Sequence, residues 1–464
     1  MANAAINKQL LETILDGQGI KNTHFFNGRL LTAEDLKTEQ TANRSQHEQL
    51  GQAIGAGIVN GLEVSLVADG SDGAPPVVTV TAGLALNRKG QAVALSSDIQ
   101  LALNRQNDPL PVEAGLFGEC SPPKTGIIPR DKGAYILVAT PASGLRELAP
   151  VRGFSDGKVI NCASRYAQEG IKFRLEELII PELTAVSQTT CDAVIELMTK
   201  SDAASLSKLR NWLAHLCFGT EELAGFLQDP FGRVSAKSAN QNYGALDALR
   251  NKGQLTDCDI PLAMMYWTPG GVKFLDMWSV RRRLTQTIRT NYLSLPLNER
   301  RLTESEAIFQ QFEEHINNLV EFRSKLSDEA LSLVQAKNYF RYLPSVSLLP
   351  LANSQKRRGF NLLNFTSELT IRDRLTIQVM TFPDRIYLEG AKLEQLISKS
   401  LIYPPINLLH NELIWSYLVR ENIQAIDDAA SNSPQSYLVL ANGQIPFEGD
   451  AKFDLNYWNY SNFR

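Results

Sequence analysis

Five histidines, five cysteines and a few adjacent acidic pairs are the groups in this chain that might be asked to hold a metal or move a proton. The histidines are His24, His47, His215, His315 and His410. No two stand four residues apart, and no HExxH motif occurs, so no helix presents two imidazoles to one zinc ion. The cysteines stand at 120, 162, 191, 217 and 258, with no CxxC pair among them. Their odd count and wide spacing predict small core residues in a protein folded in a reducing cytoplasm. Glu34-Asp35, Glu176-Glu177, Glu313-Glu314 and Asp427-Asp428 invite a glycosidase reading. Sequence neighbours on a helix or strand point to different faces, so such pairs do not converge on one bond. There is no GxSxG elbow, no P-loop and no GxGxxG after a strand. A hydrolase is therefore the least supported class, and no catalytic residue, cofactor or metal is implied.

Composition describes an ordinary soluble, folded protein. The chain has 464 residues, 44% hydrophobic and 21% charged, with a net charge of -4. That length predicts two to four domains, and the charge argues against a dedicated nucleic-acid binder. Arg281-Arg282-Arg283, Arg300-Arg301 and Lys356-Arg357-Arg358 are basic clusters. They read as solvated faces, or as contacts to an acidic neighbouring subunit. The N-terminus lacks the charged-then-apolar pattern of a secretion signal, and no apolar run approaches the length of a bilayer span. Membrane contact would be peripheral or through a partner.

The segment from His24 to Leu36 is the most informative. Phe25 and Phe26 are apolar anchors, and Asn27-Gly28 is a turn dipeptide. Thr32 is an N-cap with Asp35 in capping-box position. The helix that follows, residues 33–54, is almost wholly polar; only Leu36, Leu50 and Ile54 offer an apolar stripe. A helix of that kind belongs on a surface or against a partner. Before it, residues 6–15 read as a short helix, in either a docking arm or a frayed terminus.

Residues 57–140 read as a small antiparallel sandwich or barrel: alternating Leu62, Val64 and Leu66; Val78 and Val80; Leu84 and Leu86; Val93 and Leu95; Ile99, Leu101 and Leu103. A loop over 104–132 then leads to an apolar strand at 135–139 that completes the sheet. A further strand is expected at 171–180, and helices from 189 onward. Residues 228–260 read as an irregular hinge, and a second helix is expected near Gly271. Two seven-residue series, Phe312, Leu319, Leu326, Leu333 and Leu302, Phe309, Ile316, predict one long helix over 297–340. It reads either as part of a helix pair inside one domain or as a strut of roughly 60 Å. Beyond it come strands at 369–379, a helix at 391–401, an alternating strand carrying Trp415 and Tyr417, and hairpins ending on Tyr457, Trp458 and Tyr460.

The fold expected is thus multidomain α+β. A docking arm and polar helix (1–56) precede a small antiparallel β domain (57–185), a helical region with the long helix (186–340), and a mixed, β-rich C-terminal domain (341–464). Interface positions are expected at both extremities: Phe25, Phe26, Arg29, Glu34 and Asp35 at one, Trp415, Tyr417, Tyr457 and Trp458 at the other.

Four pieces carry a resemblance. They are Phe25-Phe26-Asn27-Gly28-Arg29-Leu30-Leu31-Thr32-Ala33-Glu34-Asp35-Leu36 with Glu39-Gln40; Gly57-Ile58-Val59-Asn60-Gly61-Leu62-Glu63-Val64; Val78-Thr79-Val80-Thr81-Ala82-Gly83-Leu84-Ala85-Leu86-Asn87 with Gly90; and Tyr339-Phe340-Arg341-Tyr342-Leu343-Pro344. Together they resemble proteins encoded beside contractile injection systems, the phage-tail-like particles of bacteria. The resemblance implies a non-enzymatic subunit at or attached to the baseplate, whose partners are other subunits of the particle and further copies of itself. The alternative is a recognition module that binds a glycan or a membrane-associated partner through the C-terminal aromatics.

Overall fold

The computed structural model describes residues 20–103, 117, 120, 132–150, 162–180, 187–220, 244–284, 296–321, 326–352, 358–370, 387–410, 412–420 and 437–446. It is a mixed α+β structure of small sheets and packed helices, as the patterning predicted.

Helix α1 spans Ala33–Ile54, the predicted bounds. The Thr32 side chain accepts the Asp35 amide and the Asp35 side chain returns to the Thr32 amide, closing the predicted capping box. Only Ala42 and Gly51 of α1 are buried. Gly51 lies against the turn after Leu86: a Cβ at this position would stand 2.1 Å from the Gly90 carbonyl oxygen. No residue but glycine fits that approach.

Strands β1 (Gly57–Gly61), β2 (Val64–Ala68), β3 (Val77–Val80), β4 (Gly83–Leu86), β5 (Ala92–Leu95) and β6 (Ile99–Ala102) follow. They form two antiparallel three-stranded sheets, β1-β4-β5 and β2-β3-β6. Val78 and Val80 face the core as expected, but on β4 it is Ala85 that is buried, while Leu84 and Leu86 are partly covered.

Strand β7 (Gly133–Pro150) does not complete either sheet. It is central in a third sheet, of four strands in the order β10-β9-β7-β8, with β8 (Cys162–Glu177), β9 (Ile260–Thr268) and β10 (Gly271–Asp276). The helix expected near Gly271 is therefore a strand, paired antiparallel with β9. Strand β9 pairs with β7, so this sheet draws on both sides of residue 185. Ala134, Ile136 and Val138 face α2 (Gln188–Met198), α3 (Ala203–Phe218) and α4 (Gly244–Asn251). Tyr135, Leu137 and Ala139 face the two small sheets. Burial on both faces explains why this strand is an unbroken apolar run.

The single helix predicted over 297–340 is not found. Helix α5 covers Pro296–Val320, followed by the short α6 (Asp328–Ser332) and α7 (Ala336–Tyr339). Ser327 caps α6 by accepting the Ala330 amide, which restarts the chain in a new direction. Leu333, the last member of the seven-residue series, is 67% exposed. Phe312 and Ile316 instead enter a core shared with Phe340, Leu349, Phe365 and Leu438. The long strut is replaced by a helix packed within the body of the protein.

Strands β11 (Tyr342–Leu343), β12 (Val346–Pro350), β13 (Tyr387–Glu389), β14 (Ile406–Asn407), β15 (Ile414–Arg420) and β16 (Tyr437–Asn442), with α8 (Leu362–Phe365) and α9 (Gly390–Ser400), build the C-terminal part. Its sheet runs β12-β16-β15-β13. Leu438 and Leu440 face the core around Phe312; Val439 and Ala441 face α9 through Leu396. The helices expected at 6–15 and the strands at 371–379 and 453–460 lie outside the described residues.

The reading of all five cysteines as free core residues does not hold. Cys120 and Cys258 form a disulfide across 138 residues of sequence, while Cys191 and Cys217 are free and buried. The pairing is a tertiary contact between residues with no motif to link them. Nor is the Arg281-Arg282-Arg283 cluster simply solvated. Arg281 is buried and donates to the Leu62 and Gly61 carbonyls at 2.7 and 2.6 Å, and Arg282 pairs with Glu304 at 2.6 Å. No helix among the described residues is long and apolar enough to cross a membrane.

Candidate functional site

The N-terminal segment builds a surface of unusual composition. Residues 20–32 fold back along the start of α1: the Thr23 amide donates to Glu39 at 3.2 Å, and the Thr23 hydroxyl to the Asp35 carbonyl at 2.9 Å. Arg29 donates to the His24 carbonyl at 2.9 Å and pairs with the Asp35 carboxylate. The Thr32 amide and hydroxyl, with the Arg29 charge, hold the Asp35 carboxyl below its usual range. Arg29 and Asp35, expected as interface residues, are thus occupied in fixing the turn. Phe25 and Phe26 are 54% and 59% exposed. Glu34 is exposed in the first turn of α1, where a carboxylate complements the helix dipole.

The apolar stripe of α1 faces water. Leu36, Leu50 and Ile54, spaced about four turns apart and then one, share a face and are each more than half exposed. Leu30 and Leu31 add to them. Among the described residues, ten of the eighteen exposed large hydrophobics lie between Phe25 and Val67. Scattered exposed leucines are ordinary; concentration of this kind marks an interaction surface. The C-terminal half of α1 is meanwhile tied down by polar contacts: Gln91 donates to Glu48 at 3.0 Å, Gln52 to the Lys89 carbonyl at 3.1 Å, and the Arg44 guanidinium lies 4.1 Å from the Phe117 ring centroid.

The C-terminal positions fare differently. Tyr417 is 1% exposed and belongs to the core between sheet and α9, so it is no docking residue. Trp415 is partly buried against the same core and donates its indole N–H to the Ile445 carbonyl at 3.0 Å. An alternating strand predicts which residues share a face but not whether that face is covered. Tyr457 and Trp458 lie outside the described residues.

A second exposed element went unread in the sequence. Strands β7 and β8 pair over their full length, but β9 supports β7 only as far as Ala139. Beyond it the two strands form an exposed ribbon bearing Leu145 and Tyr166, the latter under Arg165 at 4.9 Å. Pro141 and Pro150 lie in β7, and the positive φ of Glu147 breaks its edge, features that block the addition of further strands.

Several titratable groups are buried and hydrogen-bonded between elements. Asp276, fully buried, accepts Arg210 at 2.6 Å, Gln311 at 2.9 Å and the Ser279 amide at 2.9 Å, joining α3, β10 and α5. His315 lies 2.9 Å from the Ser207 hydroxyl, which donates to the Tyr339 carbonyl. Burial pushes His215 down to about 3, depresses His315, and pushes the Cys217 thiol up to about 12. Glu313 and Glu314 face different neighbours, the Leu348 amide and Arg210, as the adjacency argument required. Among the described residues, no group of three or more His, Cys, Asp or Glu is placed to hold a metal ion.

No family model matches the chain, and no curated protein matches it.

Proposed function

We propose that this chain is a non-enzymatic structural or adaptor subunit of a phage-tail-like contractile particle, at or attached to its baseplate. It docks through the N-terminal surface and acts by holding neighbours, including further copies of itself, in position. One observation carries the reading: a capped and anchored helix with two buried residues, together with the segment that leads into it, presents exposed apolar side chains from Phe25 to Ile54. A lone soluble domain gains nothing from ordering such a helix, because propensity alone holds helices poorly in water. A partner that covers the row recovers about 25 cal/mol for each Å² of apolar surface removed from water. The sequence resemblance supplies the class of partner.

The test replaces Phe25, Phe26, Leu30 and Leu31 together with serine. All four side chains are exposed, so the folded chain tolerates the change. The variant is expected to remain folded yet no longer sediment with particles from the producing bacterium. Undiminished co-sedimentation contradicts the docking role.

A further inference from the structure

The ribbon beyond Ala139 leaves one stretch of strand in water on both faces. Arg165, Tyr166, Ala167, Gln168, Glu169 and Gly170 are consecutive residues of β8, and every one is exposed. A strand with one covered face alternates between buried and exposed; this stretch does not. Two strands alone are marginal in water, and three or more are needed for stability of their own. Among the described residues, no strand pairs with the outer edge of β8. That edge also lacks the protection given to β7 by Pro141 and the positive φ of Glu147. Residues 162–177 contain no proline and no positive φ.

Parity fixes which backbone groups of β8 turn outward. The Leu178 amide donates to the Ala134 carbonyl, and β7 and β8 keep that register without a shift from Tyr135–Glu177 to Pro150–Cys162. In an antiparallel pair, residues that bond the neighbour alternate with residues whose N–H and C=O point away from it. Even-numbered residues of β8 therefore bond β7. Arg165, Ala167 and Glu169 present their amides and carbonyls to the open edge.

We propose that β8 pairs antiparallel with β8 of a second copy of the chain, across a twofold axis at Ala167. An axis normal to the sheet keeps each face on its own side, so opposed residues share parity and the axis passes through a residue. Centred on Arg165 or Glu169, the pair opposes like charges. Centred on Tyr166, Gln168 or Gly170, it sets Arg165 and Glu169 against uncharged residues. Centred on Ala167, it puts Arg165 of each copy directly opposite Glu169 of the other. Opposite charges across an antiparallel pair are favourable and like charges are not. Ala167 then meets Ala167. Leu145, the β7 partner of Ala167 and 53% exposed, extends an apolar row across four strands. Arg165 keeps its exposed contact to Glu147, at 3.9 Å, on the inner side. Two marginal ribbons become one four-stranded sheet, β7-β8-β8-β7, in an interface that closes on itself.

Sedimentation equilibrium of the full chain tests this. A dimer is expected at about 100 μM, above the micromolar range of weak specific interfaces. Arg165→Glu and Glu169→Arg each oppose like charges at both symmetric contacts, and each should weaken the dimer about tenfold. The double variant restores opposite charges and should return to within about threefold of the wild type. Both side chains are exposed, so the far-ultraviolet dichroism of all three variants should be unchanged. Ala167→Cys is made together with Cys162→Ser, so that the native cysteine of the same strand takes no part. Mild oxidation should cross-link it, because opposed Cα atoms about 5.5 Å apart lie within disulfide reach. Gly170→Cys, where an added Cβ meets nothing within 4 Å, should not cross-link, since the two copies of residue 170 lie on opposite sides of the axis. A monomeric wild type at this concentration overturns the proposal. So does a dimer that survives charge reversal, a double variant no tighter than either single one, or cross-linking through residue 170 in place of 167. The ribbon shares no residue with the row from Phe25 to Ile54, and the measurement uses the isolated chain. A monomer would therefore leave docking to the particle standing.

Discussion

At the scale of single residues, the fold depends on a few close approaches and buried charges. Gly51 against Gly90 is the closest: alanine at 51 drives a Cβ into a backbone oxygen that belongs to a tight turn and cannot move aside. Gly51→Ala is expected to lift the C-terminal half of α1, at a cost of about 1–3 kcal/mol. Limited proteolysis should then cut within residues 33–54, where the wild type resists. Asp276 makes a larger claim. Asp276→Ala removes the 2.6 Å partner of the buried Arg210 and leaves it Glu314 at 3.4 Å, a loss of about 3–5 kcal/mol, read as a fall in the midpoint of chemical unfolding. Burial raises both Glu313 and Glu314 to about 7, with Asp276 adding to the rise at Glu314 and Arg210 opposing it. A carboxyl whose folded pKa exceeds its unfolded one favours the native state below pH 4.5 and loses that contribution as pH climbs towards 7. The depressed His215 and His315 act in the opposite sense, losing their contribution as pH falls below 6.5. The comparison that isolates the glutamate is therefore a variant: Glu313→Gln should melt higher than wild type at pH 8, with the gap closing at pH 5.

Elements were legible where local chemistry decides them. The capping box, Asn27-Gly28 and the polar run fixed α1 to its observed ends because each acts within a turn or two of chain. Strand β15 and α9 were equally readable from period-two and period-3.6 patterns. Non-local pairing was not. The stretch from Gly271 read as helical, yet β10 is a strand because β9 is there to pair with it. The seven-residue series through Leu333 failed because a seam needs a partner helix along its whole length, and α5 finds a sheet instead. Tyr417 was assigned to a docking face because alternation is silent about what covers each side. Element stability should follow the same division: amides of β7, buried on both faces, should exchange at the global limit, while those of the ribbon beyond Ala139 exchange faster.

Over the whole molecule, two bodies of core are locked by a polar seam rather than held apart by a rod. Asn211 accepts the Arg341 and Tyr342 amides at 2.8 and 2.9 Å and donates to the Tyr342 carbonyl at 3.1 Å. Lys208 reaches the Lys337 carbonyl at 2.9 Å, and Tyr342 stacks on His215 at 4.5 Å. The fragment Tyr339 to Pro344, conspicuous in sequence for its resemblance, is thus the crossing point between the helical layer and the C-terminal sheet. The Cys120–Cys258 disulfide adds a second long-range tie, and closing a loop of 138 residues is worth up to about 5 kcal/mol. Reduction should lower the melting temperature without releasing the C-terminal sheet, whose core holds neither cysteine. Against this locked body, the surface from Phe25 to Ile54 is ordered and carries seven exposed large hydrophobics, Phe25, Phe26, Leu30, Leu31, Leu36, Leu50 and Ile54. Hydrogen exchange across residues 20–54, compared between the free chain and the chain within a purified particle, measures their covering directly. Protection there should rise on incorporation; exchange in this segment that stays the same while another surface becomes protected contradicts the account.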